Sequence, residues 1–288
     1  MNTQSLKFLY TRIKNPNLTK EQTESKVCQE ILISLIGNNE EISKRVAFKG
    51  GVVIDSLAKG KRGYTKDIDF DFIKYPLSDE GINKFFNQIN ESNFCPNIMV
   101  NPTLISDLRH KNYLGKRVLL KFSDGESSFF LTVDIGVYVP LFKKNSLLDY
   151  ELKFGNKTNI TVNPVERIIA EKLSTFAIYG TDNTRTKDLF DAYFLLDSFD
   201  FDSGCVAKML NKLLVSKGHY YKTFEQAIQS IANTLNDKSY KKELEYSDKN
   251  WIGKPVESII NSVQSLLLSL RNKKAFKTKA ILNYKFLK

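Results

Sequence analysis

The sequence predicts an α+β half followed by an α-helical half, with the boundary near residue 163. Strand-like stretches concentrate before that point: "RVAF", "DIDFDFI", "NIMV" with "TLI", "KRVLLKF" and "SFFLTVDIGVYV". Beyond "KFGNKTNITV" strands are hard to find and helical periodicity takes over. Asn163 followed by Pro164 marks a helix start between the two regimes. A chain of 288 residues, 42% hydrophobic and 26% charged, is long enough to bury two cores.

The elements follow in order. Residues 19–22 ("TKEQ") form a capping box, and Val27, Ile31, Leu32, Leu35 and Ile36 then recur at helical spacing until Gly37. "RVAF" is a short strand running into Gly50 and Gly51, and "VVIDSLA" suits a short helix closed by Gly60. "DIDFDFI" alternates strictly, which predicts a strand with Ile68, Phe70 and Phe72 inward and Asp67, Asp69 and Asp71 outward. Ser78, Asp79 and Glu80 open a helix with a Phe85, Phe86, Ile89 stripe, broken by "ESNFCPN". Three candidate strands come next, the last two separated by the turn-like "SDGES". Helical patterns then cover residues 164–179, 185–198, 203–216, 222–235 and 255–271. The expected domains are residues 1–162 and 163–288. Neither contains an internal repeat, and the only biased segment is a basic C-terminal tail.

There are 43 Lys and Arg against 32 Asp and Glu, and the net charge of +11 favours polyanionic partners, nucleic acid first and an anionic membrane surface second. Residues 271–288 hold seven cations and no acid, and residues 109–121 hold five and no acid. Each run reads equally as a solvated surface, although Phe and Tyr interleaved in the tail tilt it toward stacking on bases. Cys28, Cys95 and Cys205 are scattered and unpaired by spacing, which fits a reducing cytoplasm and argues against disulfides or a zinc site. Two histidines, His110 and His219, are too few for a histidine-rich metal centre. With no signal-peptide pattern and no run of eighteen apolar residues, a soluble cytoplasmic protein without a membrane partner is expected.

The acidic strand demands an account. Three carboxylates ~7 Å apart along one strand face repel one another, and Asp is depleted from strands. A neighbouring Lys could compensate; a divalent cation does so better, since Mg²⁺ takes one or two carboxylates plus substrate phosphates. A calcium loop fails, because Phe72 stands where Gly is needed and Ser78 where Glu is needed. The "AKGKRGYTK" stretch likewise lacks the spacing of a phosphate loop. What remains is a Gly-Gly turn at a helix start, then a D-x-D strand. Glycine permits close backbone approach, helix N-terminal amides hold a triphosphate, and paired aspartates hold metal that bridges its oxygens. A third carboxylate is then expected from a neighbouring strand, and Asp134 in "LTVDIGV" is the natural candidate, because a buried Asp among apolar neighbours needs compensation. An Asp hydrogen-bonded within the core, or on the outer face, is the plainer reading of the same residue.

These residues resemble the nucleotidyltransferase superfamily of the polymerase-beta kind, and more narrowly the AbiEii-like nucleotidyltransferase toxins of bacterial abortive-infection and toxin–antitoxin systems. The resemblance rests on "FKGG" followed by "TKDIDFDF", on "VDI" in a later strand, and on "ERIIAEKLSTFAI" with "TRTKDLFDAYFLL". The last pair is the most discriminating. The resemblance implies a nucleotidyltransferase-like mixed sheet with flanking helices, then an α-helical domain. It implies Asp67 and Asp69 as the metal-binding pair, Asp134 as the third acid, Lys172 as a phosphate-contacting lysine and Asp188 as a further essential acid. Arg185, Asp188 and Asp191 lie three apart and so are expected on one helix face. An ordinary interhelical ion-pair network is the bland reading of that seam.

Two departures bear on the nucleotide. Val52 and Val53 follow the double glycine where such toxins place Ser, Thr or Asn. In the R-x-[ST]-x-D-x-D pattern Thr65 is in place, but Gly63 holds the Arg position and Arg62 stands one residue early. The nucleotide grip is therefore expected from the Gly50 and Gly51 amides, Lys49, Arg62, Thr65 and Lys66, with Arg185 from the helical half. Asp71 is expected on the solvent side or behind the ligands. The implied activity is Mg²⁺-dependent transfer of a nucleoside monophosphate from an NTP to RNA, in particular the tRNA 3′ end, countered by a cognate antitoxin. Modification of a protein hydroxyl, or a degenerate fold that binds nucleic acid without catalysis, are the alternatives.

Overall fold

The computed structural model describes residues 5–92, 95–108, 114–138, 146–183, 185–215 and 220–272. The basic tail beyond residue 272, His219, and residues 109–113 of the second basic run lie outside the described residues. The chain divides into two compact units, one ending at Asn163 and one running from Pro164.

The first unit is a seven-stranded mixed sheet with helices. Its strands are β1 (Val46–Lys49), β2 (Ile68–Phe72), β3 (Met99–Asp107), β4 (Gly115–Ser123), β5 (Ser128–Val137), β6 (Ser146–Glu151) and β7 (Lys157–Val162), in the order β3-β4-β5-β2-β1-β7-β6. β2 runs parallel to β5 and β1 parallel to β7, while the other neighbours are antiparallel. The helices are α1 (Leu6–Ile13), α2 (Lys20–Gly37), α3 (Glu40–Ser43), α4 (Gly50–Leu57) and α5 (Asp79–Asn90). Alternation in β2 and the stripe of α5 meet as expected: Phe70, Phe72, Phe85 and Phe86 are fully buried, with Phe72 and Phe85 ring centroids 4.8 Å apart.

Helix α2 is capped by the expected box, with Thr19 and Gln22 exchanging side-chain and backbone hydrogen bonds. It is buried along most of its length and carries a buried acid. The Glu30 carboxylate accepts from the Tyr150 hydroxyl at 2.9 Å and from the Lys153 amide at 2.8 Å, and pairs with Lys26 at 3.0 Å. That node fixes the β6–β7 hairpin to α2. The hairpin is absent from the sequence-based expectation because "SLLDYE" and "KTNITV" are short and polar, and β7 gains its place by a parallel contact with β1, Val162 against Phe48. Helix α1 was likewise not expected; it packs on α2 through Leu6 and Leu9.

The second unit is helical: α6 (Val165–Tyr179), α7 (Lys187–Ser198), α8 (Ser203–Leu214), α9 (Phe224–Asn236), α10 (Lys238–Tyr246) and α11 (Val256–Arg271). Helix α6 begins directly after Pro164 and is its core, burying Ile168, Ile169, Leu173 and Phe176 against α7, α8 and α9. Helix α10 carries little apolar periodicity and was not expected; Tyr240 and Leu244 anchor it. No helix among the described residues is long and apolar enough to cross a membrane.

The Glu30 node generates a stability prediction. Glu30→Ala leaves the buried Tyr150 hydroxyl, the Lys153 amide and the half-buried Lys26 ammonium without their acceptor, so urea denaturation is expected to show a loss of about 3 kcal/mol. Glu30→Gln, which keeps an acceptor oxygen, should lose distinctly less; equal and small losses in both would show that the node does not hold the hairpin.

Candidate active site

Strand register assembles four charged residues into one row across the sheet. Lys49 of β1 stands beside Asp69 of β2, Asp69 beside Asp134 of β5, and Asp134 beside Arg117 of β4. Asp67 lies immediately before β2 rather than within it, since the strand opens at Ile68. Like charges directly opposite on paired strands destabilise a sheet, so the Asp69 and Asp134 pair requires compensation. Part of it is visible. Arg117 grips Asp134 with both ends of its guanidinium, Nε to Oδ1 at 2.8 Å and an Nη to Oδ2 at 3.0 Å. Burial, then the nearby charges of Asp69 and Asp134, push the Asp67 carboxyl above the usual range, with Arg117 and Lys66 opposing.

The double glycine forms a wall of this row. Gly50 has φ +70°, and a Cβ there would meet Asp69 Oδ2 at 2.4 Å. A Cβ on Gly51 would meet the Thr65 hydroxyl at 2.4 Å. Both positions therefore exclude a side chain, because a carboxylate and a hydroxyl occupy the space. Helix α4 starts at Gly50 with no side-chain cap, so its first turn faces the acidic residues with backbone alone. The loop bearing Thr65 and Lys66 is strapped to α2: Gln29 Nε2 donates to the Thr65 carbonyl at 2.8 Å, and Ser25 Oγ to the Lys66 carbonyl at 3.0 Å. Arg62 is buried, Thr65 is half-buried and Lys66 is exposed.

Asp71 departs from its expected solvent-side position. It is wholly buried, its Oδ1 paired with Lys49 Nζ at 2.8 Å and its Oδ2 accepting from Asn163 Nδ2 at 3.0 Å. The position behind the ligands is the one the structure gives it. Lys49, expected to face a phosphate, is itself 4% exposed and directs its ammonium diagonally to Asp71. Gly136 makes room for this pair, since a Cβ there would stand 2.3 Å from Asp71 Oδ1 and 3.4 Å from Lys49 Nζ. The result is a buried clamp joining the ends of β1, β2 and β7 immediately behind the acidic row.

In the second unit, Lys172 of α6 lies between two carboxylates of α7, Nζ to Asp188 at 2.5 Å and to Asp191 at 3.1 Å. Asp191 also accepts from the Trp251 indole at 3.2 Å. Asp188 and Asp191 share a face as expected. Arg185 does not join them: α7 opens at Lys187, and Arg185 sits ahead of it, exposed, with its guanidinium 5.9 Å from the centre of the Tyr179 ring.

The donor set of Asp67, Asp69 and Asp134 consists of hard carboxylate oxygens, which suits a Mg²⁺-type cation. Burial raises the Asp67 carboxyl most, and the negative charge of Asp69 and Asp134, which a cation would relieve, adds to it. Among the described residues no three such side chains are already gathered around one point, and Asp134 is engaged by Arg117. Arg117, Asn163, Gly136, Ser25 and Gln29 escaped the sequence reading. Arg117 was visible only as one cation of a basic run, and Asn163 only as a helix-start signal.

The model of the family described as nucleotidyl transferase AbiEii toxin, type IV TA system, matches residues 36–253, a span that includes every residue of the acidic row and of the Lys172 seam. The class of protein is thus a nucleotidyltransferase. The chain belongs to the AbiEii nucleotidyltransferase toxin family, and membership implies a nucleotide substrate and a cognate antitoxin. Among solved structures the chain is similar to JHP933 from Helicobacter pylori, at 15% identity over 89% of this chain and 94% of that one, with a TM-score of 0.46. It is also similar to a candidate nucleotidyltransferase from H. pylori, at 16% identity over 89% and 97% of the two chains, with a TM-score of 0.45. No curated protein matches it.

The clamp is testable apart from any activity. Gly136→Ala drives a methyl group into the Lys49–Asp71 pair and is expected to lower unfolding free energy by about 1–3 kcal/mol in chemical denaturation, the usual effect of overpacking. Unchanged stability would mean that Gly136 is not the space the pair depends on.

Proposed function

We propose that this chain transfers a nucleoside monophosphate from an NTP to an acceptor hydroxyl of RNA, in particular the tRNA 3′ end, releases pyrophosphate, and arrests growth by doing so. The observation that carries the reading is the placement of Asp69 and Asp134 in register on parallel strands, with Asp67 beside them and the uncapped start of α4 against Asp69. The net charge of +11 suits a polyanionic acceptor.

Asp67, Asp69 and Asp134 would hold Mg²⁺, which when bound neutralises charge on the triphosphate and on the departing pyrophosphate. For Asp134 to serve as a ligand, Arg117 would have to give up its two hydrogen bonds to that carboxylate. The Gly50 and Gly51 amides, Arg62, Thr65 and Lys66 receive the phosphates, while Lys49 acts from behind by fixing Asp71 and the end of β1. Asp134 assists removal of the acceptor hydroxyl's proton as that oxygen bonds to the α-phosphorus and the bond to pyrophosphate breaks. Lys172, held by Asp188 and Asp191, is assigned by the family resemblance to triphosphate charge, and Asp188 to a further essential acid; Arg185 is kept as a nucleotide contact on its own charge, independently of the family.

The test is incubation of the purified protein with each labelled NTP in turn, Mg²⁺ and total tRNA. Label is expected on RNA, to vanish with EDTA, and to fall by about 10²-fold or more in Asp69→Ala, in keeping with several kcal/mol of metal-borne stabilisation. Wild type and Asp69→Ala equally inert with every NTP, on RNA and on protein, would end the transfer reading. Label on a protein band instead would move the acceptor to a protein hydroxyl. In the same assay Lys172→Met is expected to cost at least about tenfold in rate; an unchanged rate would return the Lys172 seam to an ordinary ion-pair network.

A further inference from the structure

The sheet face that carries Asp69 and Asp134 continues past the acidic row. On β5, Phe130 and Thr132 share the face of Asp134 by strand alternation. Register sets Lys121 of β4 beside Phe130, and Asn101 of β3 beside Lys121. This face is open: Phe130 is 51% exposed and Leu104, further along it on β3, is 61% exposed. The reverse face of the same strands holds Val118, Leu120, Phe122, Leu131 and Val133, all buried. The unit therefore has its core without Phe130, and the ring's place on the open side is not the residue of a failed burial.

The charge on this face is one-sided. Beyond the row, the side chains of β3, β4 and β5 on this face include Lys121 and no carboxylate. An open sheet face that presents an aromatic ring beside a cation suits single-stranded nucleic acid, whose bases stack on the ring while a phosphate meets the cation. A paired duplex offers no free base to Phe130. Four residues of strand separate Phe130 from Asp134, on the order of 13 Å, against about 3.4 Å per stacked nucleotide. A base on Phe130 thus belongs to a nucleotide behind the reacting end, not to the reacting one.

We infer that the open face of β3, β4 and β5 is the track along which the single-stranded 3′ end of the RNA acceptor reaches Asp134, with Phe130 as its stacking platform and Lys121 as a phosphate contact. The inference rests on RNA being the acceptor in the proposed function. It assigns acceptor recognition to residues that hold neither nucleotide nor metal.

The experiment pairs binding with turnover. Anisotropy of a fluorescein-labelled single-stranded RNA ending in a free 3′ hydroxyl is measured without NTP at several salt concentrations, for wild type, Phe130→Ala, Phe130→Trp and Lys121→Ala. KM for tRNA and KM for NTP are measured on the same proteins, each first checked by thermal unfolding. Phe130→Ala is expected to weaken the oligonucleotide about tenfold or more and to raise KM for tRNA while leaving KM for NTP unchanged, and Phe130→Trp to restore both. Lys121→Ala is expected to lower the slope of log K against log salt by about 0.7. If Phe130→Ala binds and turns over RNA as wild type does, the track is wrong and the transfer reading stands. If wild type transfers to no RNA, the track falls together with the RNA-transfer reading, even where Phe130→Ala loses oligonucleotide binding. Equal affinity for a duplex of the same sequence, or a Phe130-dependent partner that proves to be a protein, would also overturn the track.

Discussion

Negative charge concentrated in one row of a sheet is the constraint around which the first unit is organised. Asp69 and Asp134 are held side by side by parallel pairing, and Asp67 sits close enough to feel both. Every surrounding feature accommodates that arrangement. Arg117 neutralises one end, the Lys49–Asp71 clamp stiffens the strands behind it, and glycines at positions 50, 51 and 136 leave room where a methyl group would collide with a carboxylate, a hydroxyl or an ion pair. A buried pair such as Lys49 with Asp71 is weak evidence of net stabilisation, because desolvation offsets its attraction. Its value here is geometric: it specifies where the ends of three strands stop.

Helix α2 is the element that transmits this order. Ser25 and Gln29, one turn apart, fasten the loop before β2 by its carbonyls, while Glu30, the next residue, fastens the β6–β7 hairpin. One buried helix thus sets both the approach to the acidic strand and the strand pair beyond β1. Charge compensation recurs in the helical unit, where Lys172 occupies the gap between Asp188 and Asp191. In both units a cation that sequence alone would leave pointing at a substrate is seated on protein carboxylates.

Much of this was legible in the sequence, and the reasons for the remainder are physical. Alternation identified β2 and its buried Phe70 and Phe72, the sequence pattern identified α2, α4 to α9 and α11, and the pairing of D-x-D with a lone Asp134 identified the acids that meet in the row. Alternation states which side chains share a face but not whether that face is covered along its whole length. Asp69 and Asp71 share a face, yet one is partly open and the other is sealed. The partners of Lys49 and Asp134 come from strands 22 and 17 residues away, and no local pattern records them. The β6–β7 hairpin was missed because its strands are polar and owe their burial to α2 and β1. The helix bearing Arg185 was expected to start two residues earlier than α7 does, since periodicity does not mark the helix start when no side chain caps it.

The outermost strand β3 ends the sheet in a particular way. It contains Pro102, which has no amide hydrogen to offer another strand, and its pairing with β4 slips between Pro102 and Leu104. At the opposite margin β6 carries Asp149 and Glu151, both exposed. Strand addition by a second molecule meets an irregular ladder at one margin and charge at the other. A molecule with an unusually bare, partly apolar sheet face is thereby protected from growing into a larger sheet, and what it leaves available for contact is the broad surface rather than the rim.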